Sequence, residues 1–344
     1  MYVKNIKNKK YLKTYQVLFP IENFTKLEKS SNIIDSKNTK REKYIDKRGE
    51  VHLGIVVAKQ GKFKIIDCIK CEYIHAIPFI KKVNLKKFYH KKFYNQKRKK
   101  NYFKNQEKDK IWWNRIFKER LLKFSKILKR KGKILDVGCG PGFFLKFAKQ
   151  NGWKVYGIDP SIDAVNFGRE KLGIKIEHGE FSLLKKFKNI DVIYNHGVME
   201  HLEDPINFIN LAKKSLSKNG IIFTSVANDF SQIQSLALKQ TRKPWWIIPP
   251  EHYNYFNISS IKNLMKKKFK IINTNVSFPI DFFILMGQNY IKNKRLGKKI
   301  HQMRVLFELN LGMNGFSKLK DEILKGFTKL KVGRQIDLIC QKKA

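Results

Sequence analysis

One stretch near the middle of the chain, residues 133–159, constrains the fold more than any other. Its sequence, KILDVGCGPGFFLKFAKQNGWKVYGID, predicts a buried strand, a glycine-rich turn, a helix and a second strand. Gly138, Gly140 and Gly142 allow positive φ angles and let a ligand approach bare backbone. The amides at the start of the helix would face that ligand. Asp159 ends the second strand, about 20 residues after the first glycine, where βαβ nucleotide sites carry an acid that holds the ribose.

The spacing of the turn separates two families that share this outline. The dinucleotide fingerprint is G-x-G-x-x-G, whereas this turn has G-x-G-x-G with Asp136 just before it. The segments D-V-G-C-G-P-G and G-I-D-P-S closely resemble motif I and the downstream acid of class I S-adenosylmethionine-dependent methyltransferases. Similarity to the ubiquinone-type O-methyltransferases extends over residues 133–256. It implies an α/β, Rossmann-like fold: a seven-stranded sheet with its last strand antiparallel and helices on both faces.

The resemblance also implies which residues bind S-adenosylmethionine. The glycines would meet the methionine part, Asp136 would support their loop and the ammonium end, and Asp159 would bind the ribose. In the family, the turn after the third strand lies beside the adenine. Glu180 would there accept a hydrogen bond from the exocyclic amine, and Phe181 would stack on the ring or line the pocket. An exposed turn carboxylate is the alternative for Glu180.

Two further cofactor-binding residues are expected at the end of the fourth predicted strand. Asn195 and His196 stand there, and the carboxyl ends of strands in an open α/β sheet face the ligand crevice. We therefore expect both side chains beside the methionine half of the cofactor.

Two histidines are the predicted general bases. His201 lies in an E-H-L segment after the fourth strand, and His252 lies in E-H-x-x-x-F before the sixth. Both segments resemble stretches that face the crevice in this family. Methyl transfer from a sulfonium is an in-line displacement, so positioning supplies much of the rate, and a hydroxyl acceptor also benefits from a base. The alternatives are that His201 only holds its loop and that positioning alone suffices.

A metal site is predicted in the N-terminal third of the chain. Alternating apolar and polar residues from 46 to about 80 indicate a β-hairpin. Cys68 and Cys71 form C-x-x-C between His52 and His75, and zinc binds thiolates and imidazoles at such spacing. The segment resembles the N-terminal zinc ribbon of some methyltransferases, with the first cysteine pair missing. It implies one structural zinc on these four residues, and a metal-free hairpin is the alternative.

The charge balance is extreme but has two explanations. The chain carries 73 Lys+Arg against 28 Asp+Glu, a formal net charge of +45, which suggests nucleic acid, an anionic membrane surface or an acidic substrate. The abundant Lys, Asn, Ile and Phe all have codons rich in A and T, so a biased genome would produce this charge without a polyanionic partner. We favour that explanation. Segment 81–105 interleaves lysines with aromatics, as single-strand binding requires. A connecting helix is favoured there.

These observations divide the chain into three parts. We expect a basic N-terminal arm at 1–45, the zinc-ribbon-like hairpin and basic aromatic connector at 46–105, and the methyltransferase domain at 106–344. A helical insertion at about 282–330 and an apolar edge strand at 335–340 complete that domain. Four cysteines in a chain of 344 residues imply no disulfide framework and fit a cytoplasmic protein. No apolar stretch is long enough for a membrane span.

The sequence therefore predicts an S-adenosylmethionine-dependent methyltransferase that acts on a small-molecule acceptor, a hydroxyl of a sugar, glycan precursor or metabolite. An RNA or protein methyltransferase that uses segment 81–105 is the alternative with the same chemistry, and nucleic acid is not the favoured partner. An NAD-dependent oxidoreductase and a non-catalytic nucleic-acid-binding module are alternatives of other classes. The acceptor and the oligomeric state stay open.

Overall fold

Two β-sheets and nine α-helices form in the part of the chain that the computed structural model describes, residues 40–79, 106, 108–242, 244–313 and 315–343. The strands are β1 (Arg41–Ile45), β2 (Val51–Gln60), β3 (Phe63–Cys68), β4 (Tyr73–Ile77), β5 (Lys133–Val137), β6 (Lys154–Asp159), β7 (Ile176–His178), β8 (Ile190–His196), β9 (Leu216–Ala227), β10 (Asn254–Tyr255), β11 (Phe269–Val276) and β12 (Gln335–Lys342). The helices are α1 (Lys110–Leu128), α2 (Phe143–Gln150), α3 (Ile162–Leu172), α4 (Pro205–Ser215), α5 (Gln232–Thr241), α6 (Ile258–Lys266), α7 (Phe282–Leu285), α8 (Lys294–Met313) and α9 (Ser317–Leu330).

The larger sheet has seven strands in the order β11-β12-β9-β8-β5-β6-β7. Strand β5 pairs in parallel with β6 and β8, while β12 runs antiparallel to both of its neighbours. Ile134 and Leu135 in β5 are fully buried because helices cover both faces of a parallel sheet. The predicted Rossmann-like fold with an antiparallel last strand is confirmed.

The predicted edge position of the last strand is wrong. Strand β12 lies inside the sheet between β9 and β11. Its residues Leu338, Ile339 and Cys340 are all buried, which requires cover on both faces of the sheet. Strand β11 takes the edge instead, and its residues are mostly exposed or half-buried. A continuous apolar run is typical of an internal strand rather than an edge strand.

Helix α1 precedes the first strand of the large sheet, and the helical insertion forms as expected. The buried face of α1 includes Phe117, Leu121 and Phe124, which lie against the large sheet. Helices α7, α8 and α9 make up the insertion between β11 and β12. None of the helices in the described part of the chain combines the length and the hydropathy that crossing a bilayer requires.

The smaller sheet is antiparallel and has the order β1-β2-β3-β4-β10. The predicted hairpin is β2–β3, and Gly61 at its turn has a φ of +56°. The sheet begins at Arg41, inside the range expected for the arm, because β1 pairs along β2. Strand β10 comes from the middle of the methyltransferase domain, so the two parts share a sheet. The rest of the arm, 1–39, and the connector, 81–105, lie outside the described residues.

Candidate active site

The glycine turn after β5 adopts a backbone that side chains would obstruct. Gly138, Gly140 and Gly142 have φ angles of +74°, +54° and +85°. A Cβ atom at Gly138 would lie 2.6 Å from Cγ2 of Val198. The amide of Gly138 donates to the carbonyl of Ile158 at 2.8 Å, which holds the turn against the end of β6. The turn is therefore a bare-backbone cradle at the carboxyl edge of the sheet.

Asp159 fastens this cradle in the structure. Its Oδ2 accepts from the amide of Gly140 at 2.7 Å and its Oδ1 from the amide of Ser161 at 2.8 Å. Burial raises the pKa of Asp159 to about 6. Asp136 is buried as well, and burial, with the neighbouring Asp159 carboxylate, raises its pKa well above the usual range. Each carboxylate oxygen of Asp159 can accept one more hydrogen bond, as a ribose hydroxyl would require. Ribose binding by Asp159 stays a prediction.

The predicted adenine-side residues flank a short 3₁₀-helix. Glu180 is half-buried and directly precedes the helix Phe181–Lys186. The ring of Phe181 packs edge-on against Phe208, with 5.8 Å between ring centroids. Phe181 thus also contributes to the core, and a contact of either residue with the cofactor stays a prediction.

Asn195 and His196 have different surroundings at the end of β8. Asn195 is fully buried, and its Nδ2 donates to the carbonyl of Phe223 and to the hydroxyl of Thr224. This contact ties β8 to β9, so its cofactor role stays a prediction. His196 meets the ring of Trp113 edge-on at 6.0 Å, and its Nδ1 is buried without a hydrogen-bond partner among the described residues. Burial lowers the pKa of His196 to about 4, which keeps the ring neutral near pH 7.

The two predicted bases lie side by side, although 51 positions separate them in the sequence. The rings of His201 and His252 have centroids 4.8 Å apart and meet at 80°. His201 Nδ1 donates to the carbonyl of Glu251 at 2.5 Å. Burial lowers the pKa of both histidines, that of His252 to about 3. Both rings are therefore uncharged near neutral pH.

Main-chain and amide contacts bring these two segments together. The amide of Tyr253 donates to the carbonyl of Glu200 at 2.8 Å. Asn254 Nδ2 donates to the carbonyls of Met199 and Leu202 at 2.9 Å and 2.6 Å. The segment before β10 is thus attached to the loop that follows β8, at the carboxyl edge of the large sheet.

Glu200 is a candidate site residue that the sequence analysis did not single out. It is 5% exposed, and its Oε2 has no hydrogen-bond partner in the described structure. Burial raises the pKa of Glu200 to about 7. One ligand atom each from Glu200, His201 and His252 lies within 4.8 Å of the others, so the cluster has the donors to hold a divalent cation. Its position directly before His201 in the E-H-L segment was the sequence feature that could have identified it.

An ion pair at the end of β9 was also missed. Arg334 Nη1 donates to Oδ1 of Asp229 at 3.4 Å, and Gln234 Nε2 donates to the same oxygen at 3.5 Å. Asp229 is 2% exposed, and burial raises its pKa to about 6. Asp229 follows a buried strand almost directly, which is the position where crevice residues occur in open α/β sheets.

A buried arginine joins α1 to the sheet below the crevice. Arg120 Nη2 donates to Oδ2 of Asp337 at 2.9 Å, and its Nη1 donates to the hydroxyl of Tyr194. The guanidinium also lies over the ring of Phe223, 4.6 Å from its centroid. Nothing in the sequence distinguishes Arg120 from the many exposed cations of the same helix.

The four predicted metal ligands come together in the small sheet. His52, Cys68, Cys71 and His75 are all buried, and one ligand atom of each lies within 4.8 Å of the others. His52 Nδ1 is 3.4 Å from Sγ of Cys71 and 3.8 Å from Sγ of Cys68. Nitrogen and sulfur ligands of a tetrahedral zinc are separated by roughly 3.5 Å. The spacing therefore fits zinc.

The surroundings of these ligands also suit a metal. His75 Nδ1 donates to the carbonyl of Ala76 at 3.2 Å, while its Nε2 is buried without a partner among the described residues. His52 Nε2 faces Oδ2 of Asp46 at 3.8 Å. Such outer partners orient the imidazoles of metal sites. The hydrogen bond between the two sulfurs lowers the pKa of Cys68 and raises that of Cys71.

The sheet order and the bare-backbone turn define a class of α/β proteins that hold a nucleotide-like cofactor at the carboxyl edge of the sheet. A family model described as a methyltransferase domain matches residues 109–268. The chain is 32% identical over 181 residues to a ubiquinone biosynthesis O-methyltransferase of Pelagibacter ubique (strain HTCC1062), a match that covers 47% of this chain and 75% of the relative.

Other similar proteins differ in their named substrates. The chain is 30% identical over 177 residues to a tRNA U34 carboxymethyltransferase of Campylobacter jejuni, which covers 47% of this chain and 58% of that relative. A solved SAM-dependent methyltransferase from Archaeoglobus fulgidus aligns with a TM-score of 0.45 and 18% identity, over 70% of this chain and 99% of that one. Because the family model and the Pelagibacter ubique relative both match, the chain belongs to the class I S-adenosylmethionine-dependent methyltransferases, with S-adenosylmethionine as methyl donor.

Proposed function

We propose that the enzyme methylates a hydroxyl group of a small molecule, such as a sugar, a glycan precursor or another metabolite. The observation that carries the proposal is the pairing of His201 and His252, two neutral imidazoles from separate segments, beside Glu200. A neutral imidazole can accept the proton of a hydroxyl as its oxygen attacks a methyl group. The similarity to an enzyme named for O-methylation supports the same assignment.

The residues around the glycine turn suit the methyl donor. S-adenosylmethionine supplies an electrophilic methyl group bound to a sulfonium. We assign its binding to the turn of Gly138, Gly140 and Gly142, to Asp136 and Asp159 behind it, and to Glu180, Phe181, Asn195 and His196 around it. A Cβ atom would fill the cradle at Gly138, which is the physical reason for bare backbone there. Neutral His196 adds no positive charge near a cationic donor.

His201 is the better placed of the two bases. Its Nδ1 proton is held by the carbonyl of Glu251, which fixes the tautomer and leaves Nε2 as the proton acceptor. His252 lies against this ring, and the buried carboxyl of Glu200 lies beside both. We propose that His201 takes the hydroxyl proton and that His252 lines the acceptor pocket.

An assay with trideuterated S-adenosylmethionine tests the proposal. The purified enzyme is incubated with a metabolite extract and, separately, with total RNA, and mass spectrometry locates the label. We expect label in small molecules, its loss in His201→Ala, and unchanged binding of S-adenosylhomocysteine by that variant. His301→Ala is the matched control, because His301 pairs with Asp109 at 2.8 Å and does not belong to the cluster of Glu200, His201 and His252.

Two results would redirect the assignment. Label confined to RNA would support the alternative, which the similarity to a tRNA-modifying enzyme and the net charge of +45 favour. Activity abolished by a chelator and restored by Mg²⁺, with the zinc content unchanged, would assign Glu200, His201 and His252 to a bound cation rather than to proton transfer.

We further propose that His52, Cys68, Cys71 and His75 bind one structural zinc ion. The donor set has two thiolates and two imidazoles, it is closed, and it is buried, as structural sites are. Metal analysis of the purified protein should give about one equivalent of zinc, and Cys71→Ser should lose it. Less than about half an equivalent in the wild type would favour the metal-free hairpin.

A further inference from the structure

Helix α8 of the insertion has two opposite faces of different character. Its inner face lies against α1: Glu308 accepts from the indole of Trp112 at 2.7 Å, and the guanidinium of Arg304 lies 4.7 Å from the centroid of the same ring. Ile300, one turn earlier on this face, is fully buried. The inner face therefore attaches α8 to the helix whose Trp113 meets His196 at the crevice.

The outer face of α8 is apolar and exposed. Met303, Leu306 and Met313 follow each other at helical spacing, and each exposes between 38% and 62% of its surface. Two more apolar side chains are exposed to a similar degree: Phe316, in the turn after the helix, and Leu319, at the start of α9. We name these five residues the apolar stripe. Large exposed apolar patches on soluble domains mark contacts with another molecule.

Cations flank the apolar stripe. Lys294, Arg295, Lys298 and Lys299 are exposed in the first six residues of α8, and Lys318 is exposed in α9. Between positions 282 and 320 the sequence contains a single acid, Glu308, which faces inward to Trp112. The outer face thus combines apolar side chains with exposed cations in the first turns of α8, and the nearest exposed acids after the stripe are Asp321 and Glu322 in α9.

We propose that the apolar stripe and its flanking cations seat the enzyme on an anionic lipid bilayer. A helix with one apolar face and a lysine-rich border lies in the plane of a membrane surface, where its apolar side chains enter the acyl boundary and its cations meet lipid phosphates. A second copy is a poorer partner, because it would bring a second set of exposed cations against these. The exposed acids of α8 and α9 are Asp321 and Glu322, and Glu322 already pairs with Lys325. RNA is poorer too, because four of the five stripe residues are aliphatic and Phe316 alone among them offers a ring for base stacking.

Vesicle sedimentation with the full-length protein tests the proposal. Wild type should pellet with vesicles of phosphatidylcholine and phosphatidylglycerol, and not with phosphatidylcholine alone. The double variant Leu306→Ser with Met313→Ser should reduce the pelleted fraction at least about fivefold. The matched control is Ile45→Ser with Ile206→Ser, which removes exposed apolar side chains from β1 and α4 and should pellet like the wild type.

Three checks make the outcome decisive. Melting temperature and S-adenosylhomocysteine binding show that each variant is folded. Lys298→Glu with Lys299→Glu should weaken binding, most at low salt. Equal pelleting of stripe and control variants would overturn the proposal, because the net charge of the chain would then bind vesicles without the stripe. The proposal would also be overturned if the wild type did not bind vesicles but formed a dimer or an RNA complex that the stripe variant lost. The stripe would then be assigned to a second copy or to RNA.

Discussion

Gly138 is a position in the proposed cofactor cradle at which a single added atom would collide with its surroundings. Its φ of +74° disfavours any side chain, and an added Cβ would lie 2.6 Å from Val198. We expect Gly138→Ala to weaken binding of S-adenosylhomocysteine by about tenfold or more, because the turn must shift to relieve the contact. Isothermal titration calorimetry measures the affinity directly.

A second glycine separates this effect from backbone strain. Gly173, which ends α3, also has positive φ, +64°, but a Cβ there meets no atom within 4 Å. Gly173→Ala should lower the melting temperature slightly and leave the affinity unchanged. Equal losses of affinity in the two variants would contradict a specific role of the Gly138 turn.

Glu200 gives the enzyme a pH-dependent stability of definite sign. Its pKa is about 7 in the folded protein and 4.5 in an exposed glutamate, so the folded state binds more protons between these values. The contribution of Glu200 to stability is therefore fully present below about pH 4.5 and is lost as pH rises through 7. Glu200→Gln should gain about 1–3 kcal/mol relative to wild type between pH 5 and pH 8, measured by urea unfolding without ligand. A difference independent of pH would contradict the buried position of the carboxyl.

At the residue scale, the site residues predicted from the sequence lie in local motifs, and the residues that were missed pair with partners far along the chain. His201 and His252 each stand in an E-H segment, and the structure places them together. Asp229 gains a role only through Arg334, which lies 105 positions away, and Arg120 only through Asp337, 217 positions away. Such pairs depend on the sheet order, which spacing along one chain does not encode.

Strand β10 joins the small sheet to the loops that carry the proposed bases. Asn254 in β10 is buried and donates to the carbonyls of Met199 and Leu202. We expect Asn254→Ala to destabilise the protein by about 2–4 kcal/mol, because two buried carbonyls lose their donor. Turnover should fall while S-adenosylhomocysteine affinity is kept, because His201 follows Met199 by only two residues.

Asn151→Ala is the matched control for this element. Its Nδ2 also donates to a carbonyl, that of Phe147, at 2.8 Å, but the contact is exposed. Loss of this bond should cost no more than about 0.5 kcal/mol in urea unfolding, because water replaces it. If Asn254→Ala cost as little, the amide would not be what holds the two segments.

The elements themselves were predicted better than their neighbours in the sheets. The β2–β3 hairpin has a strong periodic pattern, and it forms where expected. Strand β10 has two residues, too few to show any period, and its pairing with β4 was not predicted. The internal position of β12 was missed although its apolar run is typical of an internal strand, because the run does not show which strands lie on either side.

At the scale of the whole molecule, the proposed zinc site and the proposed bases belong to one connected structure. His75 pairs with Asn254 between β4 and β10, and the amide of Ala76 donates to the carbonyl of Tyr253 at 2.8 Å. His252 directly precedes Tyr253, whose amide contacts Glu200, whereas the glycine turn meets the loop after β8 at Val198. Loss of metal should therefore disturb the acceptor pocket before the cofactor cradle.

Cys71→Ser tests this coupling against Cys340→Ser, which alters a buried cysteine of β12 in the large sheet, outside the proposed ligand set. We expect Cys71→Ser to lose zinc and most of its turnover while its affinity for S-adenosylhomocysteine changes less than about threefold, because sites without shared partners respond nearly independently. Cys340→Ser should keep its zinc and lose activity only as far as its melting temperature falls. If affinity and turnover declined together in Cys71→Ser, the metal would support the fold as a whole and not the acceptor side through β10.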